Sequence, residues 1–155
     1  MRYWDSSALV PCCVRQPETD TVRALLADGS RVVTSWLSPV ECWSAFARLR
    51  RQGVLDGAAE AVALSRLRVV LAGAAEVLLG PDLRRLAGRL LHDHPLRAAD
   101  ALQLAAALTW CGGQPEGAGF VSLDARLRAA AGAEGFRILP EEPACEPASS
   151  QAVSP

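Results

Sequence analysis

The chain has 155 residues, a formal net charge of −1 and 50% hydrophobic residues, enough for one domain with a proper core and too little positive charge for a protein that simply coats nucleic acid. All sixteen basic residues are Arg. The lack of Lys excludes a P-loop phosphate site, a Schiff-base or pyridoxal site and a phospho-acceptor aspartate domain.

Residues 2–5 (RYWD) read as a short strand ending in Asp5, with Ser6 as a cap for the apolar run Ala8 to Val14. A helix is expected over about 18–27, stopped at Asp28-Gly29, and a β-branched, aromatic strand over 31–37. Ser38-Pro39-Val40-Glu41 opens the next helix, which runs to about Gln52. Ser is a preferred cap, Pro is favoured in the first turn, and Glu41 completes a capping box. Residues 56–70 repeat apolar side chains at three- and four-residue steps, 76–79 form a short strand, and 81–92 a helix. His94-Pro95 breaks the chain before the central stretch.

That stretch, from Leu96 to Cys111, is a run of strong helix formers with Ala and Leu on nearly every face, so it reads as a helix buried all round. Asp100 sits in its first turn. An ionised acid in such a helix needs a cation, donors or a wet cleft. Beyond a Gly-rich loop at 112–119, residues 120–123 form a strand that delivers Asp124, then a short helix over 125–131 and a last strand over 136–139 follow. Residues 1–140 form the expected domain. From 141 to 155 the composition turns to Glu, Pro, Ser and Ala, and a disordered tail is expected.

Strands alternating with helices imply an α/β fold, a three-layer α/β/α sandwich on a central parallel sheet, whose sites form beyond the carboxyl ends of the strands. Asp5, Glu41, Asp100 and Asp124 each fall where a strand ends or a helix begins. Two carboxylates about 4 Å apart repel by roughly 4 kcal/mol at an effective dielectric near 20, so a converging set demands protonation or a hard cation, Mg²⁺ or Mn²⁺. Such an ion polarises a phosphodiester oxygen and acidifies a bound water. The chemistry this points to is phosphodiester hydrolysis.

DSSAL at 5–9, SPVECWSAFARL at 38–49, PLRAADALQLAAAL at 95–108 and FVSLDARLRAAA at 120–131 resemble the four acidic signatures of PIN-domain ribonucleases, in particular VapC-type toxins of prokaryotic toxin-antitoxin pairs. The resemblance covers residues 1 to about 140, in the family order. It implies an α/β/α sandwich and endonucleolytic cleavage of RNA to 5′-phosphate and 3′-hydroxyl ends. It also implies a homodimer and inhibition by a small cognate antitoxin. Asp5, Glu41 and Asp100 match the principal metal-binding acids, and Asp124 the more variable fourth. Ser7 matches a hydroxyl that binds a metal water or the scissile phosphate.

Blander readings stand beside these. Glu41 is explicable as a capping-box acid, Asp124 as a helix cap, Asp100 as the partner of Arg97, and Ser7 as a local capping hydroxyl. A rival from another class is a non-catalytic PIN-like protein-binding module that docks partners on the helices at 56–70 and 81–92. A small-molecule phosphatase fits less well, lacking the double-aspartate start and its Lys. His92 and His94 read as a turn at a helix end, and Trp36, Trp43 and Trp110 as core or interface. Arg48, Arg50 and Arg51 read as a helix end or a phosphate contact. Five Cys without a CxxC pair suggest reduced thiols in a cytoplasmic protein, and no apolar run is long enough for a membrane span.

Overall fold

Side-chain alternation in very short strands decides how this chain is layered. In β1 (Arg2–Trp4), Tyr3 faces one core and Trp4 the other; Val33 and Val32 divide in the same way in β2 (Val32–Ser35), as do Phe120 and Val121 in β4 (Gly119–Val121). Each strand is therefore apolar on both faces, the mark of a sheet covered by helices on both sides. β3 (Ala75–Val77) and β5 (Arg137–Leu139) complete it. The five strands are all parallel in the order β3-β2-β1-β4-β5. The computed structural model describes residues 1–141; the tail expected at 141–155 lies, apart from Glu141, outside the described residues.

Against one face pack α1 (Ser6–Cys13), α2 (Thr19–Ala27), α3 (Ser38–Arg51) and α4 (Gly57–Ala72), around Trp4, Leu9, Val22, Phe46 and Leu67. On the other lie α5 (Pro81–Asp93), α6 (Ala98–Trp110) and α7 (Ala125–Ala133), around Tyr3, Leu90, Leu104, Phe120 and Leu127. This is the expected α/β/α sandwich. Among the described residues no helix is long and apolar enough to cross a membrane.

The central helix is the expected one. Ala101 and residues 103–108 are buried against β2, β3, α5 and α7, although Thr109 is exposed and Leu102 half-buried. It is thus buried through its middle rather than all round. Two local expectations change. The cap of α1 is Asp5, not Ser6, because the Asp5 carboxylate accepts from the Ser7 N–H. α3 begins at Ser38 itself, with Leu37 at the cap position and no side-chain cap bond, so the box between Ser38 and Glu41 does not form. Both side chains turn inward instead. The strand order runs outward from β1 in two directions, through β2 to β3 and through β4 to β5. A crevice opens beyond the carboxyl ends of β1 and β4 at such a switch.

Candidate active site

Asp5 follows β1 directly, and its own N–H donates to the Val121 carbonyl at 3.0 Å, which ties it to the end of β4. The carboxylate is only 4% exposed. Its Oδ2 accepts from the Ser7 N–H (3.1 Å), the Ser7 hydroxyl (2.5 Å) and the Ser122 hydroxyl (3.1 Å). Burial pushes the carboxyl above its ordinary value, and the bonds from Ser7, Ser122 and Ser6 offset that only in part. Ser7 Oγ also accepts from the Leu123 N–H at 2.8 Å. Its proton is committed to Asp5, so a substrate contact made by Ser7 is one in which it accepts.

Glu41 projects from the first turn of α3, where its Oε2 accepts from Gln103 Nε2. Burial raises its pKa first; the bonds from Gln103 and the Ser6 hydroxyl oppose that, and the charges of Asp5 and Asp100 push it further up. The strand-end acid Asp5 and the two helix acids Glu41 and Asp100 thus share one electrostatic field. Asp100 stands in the first turn of α6 and its Oδ2 accepts from the Arg97 backbone N–H at 3.0 Å. Its cationic neighbour is Arg126 at 4.0 Å, so the expected pairing with Arg97 is made to that residue's backbone and not to its guanidinium. Asp124 caps α7, its Oδ1 accepting from the Arg126 and Leu127 N–H groups at 2.9 and 3.0 Å.

A cleft of about 700 Å³ gathers these positions, lined by Ser6, Ser7, Glu41, Asp100 and Asp124, with Asp5 beneath. Arg48, Arg51 and Arg97 line it as well, whereas Arg50 turns away to pair with Glu60. The structure therefore divides the basic cluster at the end of α3 into two arginines at the cleft and one outside it. Among the described residues no three carboxylates close into a finished metal cage. They share a cleft and a field, and in Asp100 and Asp124 the hydrogen bonds engage one oxygen each, leaving the other for a ligand. An all-oxygen donor set with two carboxyls already pushed up suits a hard divalent cation, which relieves the repulsion without protonation.

Two residues of this site escaped the sequence reading. Ser122, wholly buried, joins Asp5 to the Asp124 turn by accepting from the Asp124 N–H at 3.2 Å, and only its place two residues before Asp124 signalled it. Gln103 is 1% exposed on α6, and a polar residue inside that Ala/Leu run was the available signal. Elsewhere, Trp36 and Trp43 are each 51% exposed, which removes them from the core and leaves the interface reading open. His94 Nε2 meets Glu134 Oε1 at 2.8 Å where α5 ends, and the adjacent His92 is exposed, in keeping with a turn rather than a metal pair. Cys12, Cys13, Cys42 and Cys111 are free thiols; Cys145 lies outside the described residues.

Residues 2–133 match the PIN domain family. No curated protein matches the chain. Among solved structures, VapC20 of Mycobacterium tuberculosis, described as a toxin that cleaves the sarcin-ricin loop, is similar at a TM-score of 0.64 and 18% identity, over 84% of this chain and 95% of that one. FitAcB from Neisseria gonorrhoeae is similar at a TM-score of 0.62 and 18% identity, over 89% and 96%. VapBC2 from Rickettsia felis, bound to a DNA fragment from its promoter, matches at a TM-score of 0.62 and 14% identity, over 89% and 98%. Identities this low speak for a common fold.

Proposed function

Since this chain belongs to the PIN domain family, we propose that it is a divalent-metal-dependent endoribonuclease and the toxin of a toxin-antitoxin pair. The observation that carries this is the buried Asp5 carboxylate, coupled through its charge to Glu41, which also feels Asp100, around a single cleft. Asp5, Glu41, Asp100 and Asp124 are the residues that would hold Mg²⁺ or Mn²⁺. When bound, the ion supplies charge for a phosphodiester oxygen and lowers the pKa of a water.

The rest falls to the chain's own residues. Ser7 and Ser122 hold Asp5 in one orientation by giving both of their hydroxyl protons to it. Ser7 also accepts from the Leu123 N–H, which keeps the ends of β1 and β4 at a fixed spacing. Arg48, Arg51 and Arg97 at the cleft offer charge to the phosphates on either side of the cut. Arg126, 4.0 Å from Asp100, is the nearest cation to that acid and limits its repulsion with Glu41.

Purified protein should cut RNA with Mn²⁺ or Mg²⁺ and stop on chelation, and Asp100→Asn should abolish cleavage while the fold survives. Metal-independent cutting that persists in the variant overturns the proposal. The rival module draws support from the helix-capping bonds of Asp100 and Asp124. Calorimetric titration separates the two, because a scaffold has no Mn²⁺ binding that depends on Asp5.

Three solved relatives support a protein partner: the VapBC2 assembly, a structure of FitAB bound to DNA and a toxin-antitoxin complex from Klebsiella pneumoniae, the last at a TM-score of 0.58 and 16% identity. A cognate antitoxin encoded beside this chain should co-purify with it and suppress cleavage. The exposed Trp36, Trp43 and Val40 support a homodimer, which light scattering on the purified chain tests. The buried, unpaired thiols support a reducing cytoplasm.

A further inference from the structure

Gln103 lies one turn beyond Asp100 on the same face of α6. A buried amide is costly unless all its polar positions are filled. Here they are. Oε1 accepts from the Tyr3 hydroxyl at 2.6 Å, and Nε2 donates to Ser38 Oγ at 3.0 Å and to Glu41 Oε2. Tyr3 and Ser38 are both wholly buried, so water does not compete for these bonds.

The network also has a direction. An ionised Glu41 can only accept, so the amide NH₂ must face it, and the amide oxygen then faces Tyr3. A phenol keeps its proton at neutral pH, so Tyr3 donates and holds that orientation. Three elements are thereby joined through one side chain: β1 through Tyr3, α3 through Ser38 and Glu41, and α6 through Gln103 itself. Glu41 has three rotatable bonds, and the Gln103 amide joins the Ser6 hydroxyl in holding its carboxylate. Of these two partners only the Gln103 amide belongs to the same helix as Asp100, so it is the one that ties the Glu41 carboxylate to that acid.

We propose that Gln103 is a positioning residue of the metal site, fixing the Glu41 carboxylate relative to Asp100, with Tyr3 fixing Gln103 in turn. The metal in this statement rests on the nuclease reading above; the hydrogen-bond chain does not. Loss of a partner that orients a metal ligand lowers metal affinity by about 10- to 100-fold.

The test is calorimetric titration of Mn²⁺ into the full chain as wild type, Gln103→Leu, Tyr3→Phe and the double variant, with a thermal melt of each metal-free protein. Gln103→Leu should weaken Mn²⁺ binding by about 10- to 100-fold. Tyr3→Phe should weaken it several-fold on its own and add nothing in the Gln103→Leu background, because its effect passes through the amide. Should Gln103→Leu fail to fold, Tyr3→Phe alone decides, since it removes one oxygen and leaves the ring in place. A Gln103→Leu protein that melts lower but binds Mn²⁺ like the wild type, or a Tyr3→Phe effect undiminished in the double variant, overturns the positioning role. Wild-type protein that binds no Mn²⁺ overturns the nuclease reading and this inference together, an outcome distinct from the first two.

Discussion

Replacing Asp5 with Asn removes a charge and keeps the shape, and metal-free protein should become more stable for it. The Oδ2 atom takes three hydrogen bonds, from the Ser7 N–H, the Ser7 hydroxyl and the Ser122 hydroxyl. An amide oxygen in that place keeps all three as neutral bonds, each about 1 kcal/mol weaker, and the amide nitrogen gives up the longer Ser6 bond to Oδ1 (3.4 Å), roughly 3–4 kcal/mol together. Against this stands the cost of burying an ionised carboxylate, several kcal/mol, and burial is the largest influence on Asp5. The balance favours the amide by on the order of 1 kcal/mol, or about 3 °C in Tm.

The effect has a pH signature. A carboxyl whose pKa is raised by folding holds its proton more tightly folded than unfolded, so the wild type loses stability as pH rises from the unfolded value of 3.8 through the raised one. Glu41 acts in the same sense, starting from 4.5. The exposed Asp20 and Asp28 have lowered values, so their contribution is lost only as pH falls below 3.8. Asn does not titrate. Its advantage should therefore appear at about pH 7.5, shrink towards about pH 4, and vanish only below the unfolded value of 3.8, where the wild-type acid is protonated in both states. Scanning calorimetry at both pH values measures this. Mn²⁺ at about 100 times its Kd should add roughly 2.7 kcal/mol to the wild type and nothing to the variant. An Asn variant less stable than wild type at pH 7.5, by as much as at pH 4, would refute the claim that burial outweighs the hydrogen bonds at Asp5.

Other outcomes follow from the same structure. In an Asp5→Asn background, Arg48→Ala and Arg51→Ala should each weaken RNA binding and lower the salt slope by about 0.7, while Arg50→Ala, removed from the cleft by Glu60, leaves both unchanged; equal effects of all three in filter binding would contradict the division of this cluster. Phe46→Ala, wholly buried under α3, should cost about 3–5 kcal/mol in denaturant unfolding. Burial pushes the Cys12 thiol up to about 12 and the Cys13 thiol up to about 11. Both should resist alkylation in folded protein at about pH 8, where free thiols near their reference pKa react; mass spectrometry of the peptide carrying them gives the answer.

Much of the layering was legible because it is local. β1, β2 and β4 carry β-branched or aromatic residues, and the Ala/Leu run of α6 leaves little choice but burial. The capping chemistry was legible at Asp124, where the acid bonds to amides two and three residues ahead. It misled at Ser38, whose side chain found a stronger partner, Gln103, far along the chain. For Trp36 and Trp43, read as core or interface, the structure removes the core half of that reading for a related reason. Apolar residues in a strand end and a helix start suggest a core, but which face of α3 meets the sheet is set by Cys42 and Phe46.

By itself the sequence determined a run of short apolar strands and amphipathic helices in fixed order, and placed four acids at their junctions, since both depend on interactions within a few residues. Only the tertiary structure decided which of those junctions meet. The order β3-β2-β1-β4-β5 sets the ends of β1 and β4 side by side, so that Ser7 and Ser122, 115 residues apart, donate to one carboxylate. Contacts at that separation carry no local propensity. They exist because strand pairing and two hydrophobic cores hold the backbones in register, and the buried polar groups then have each other, rather than water, as partners.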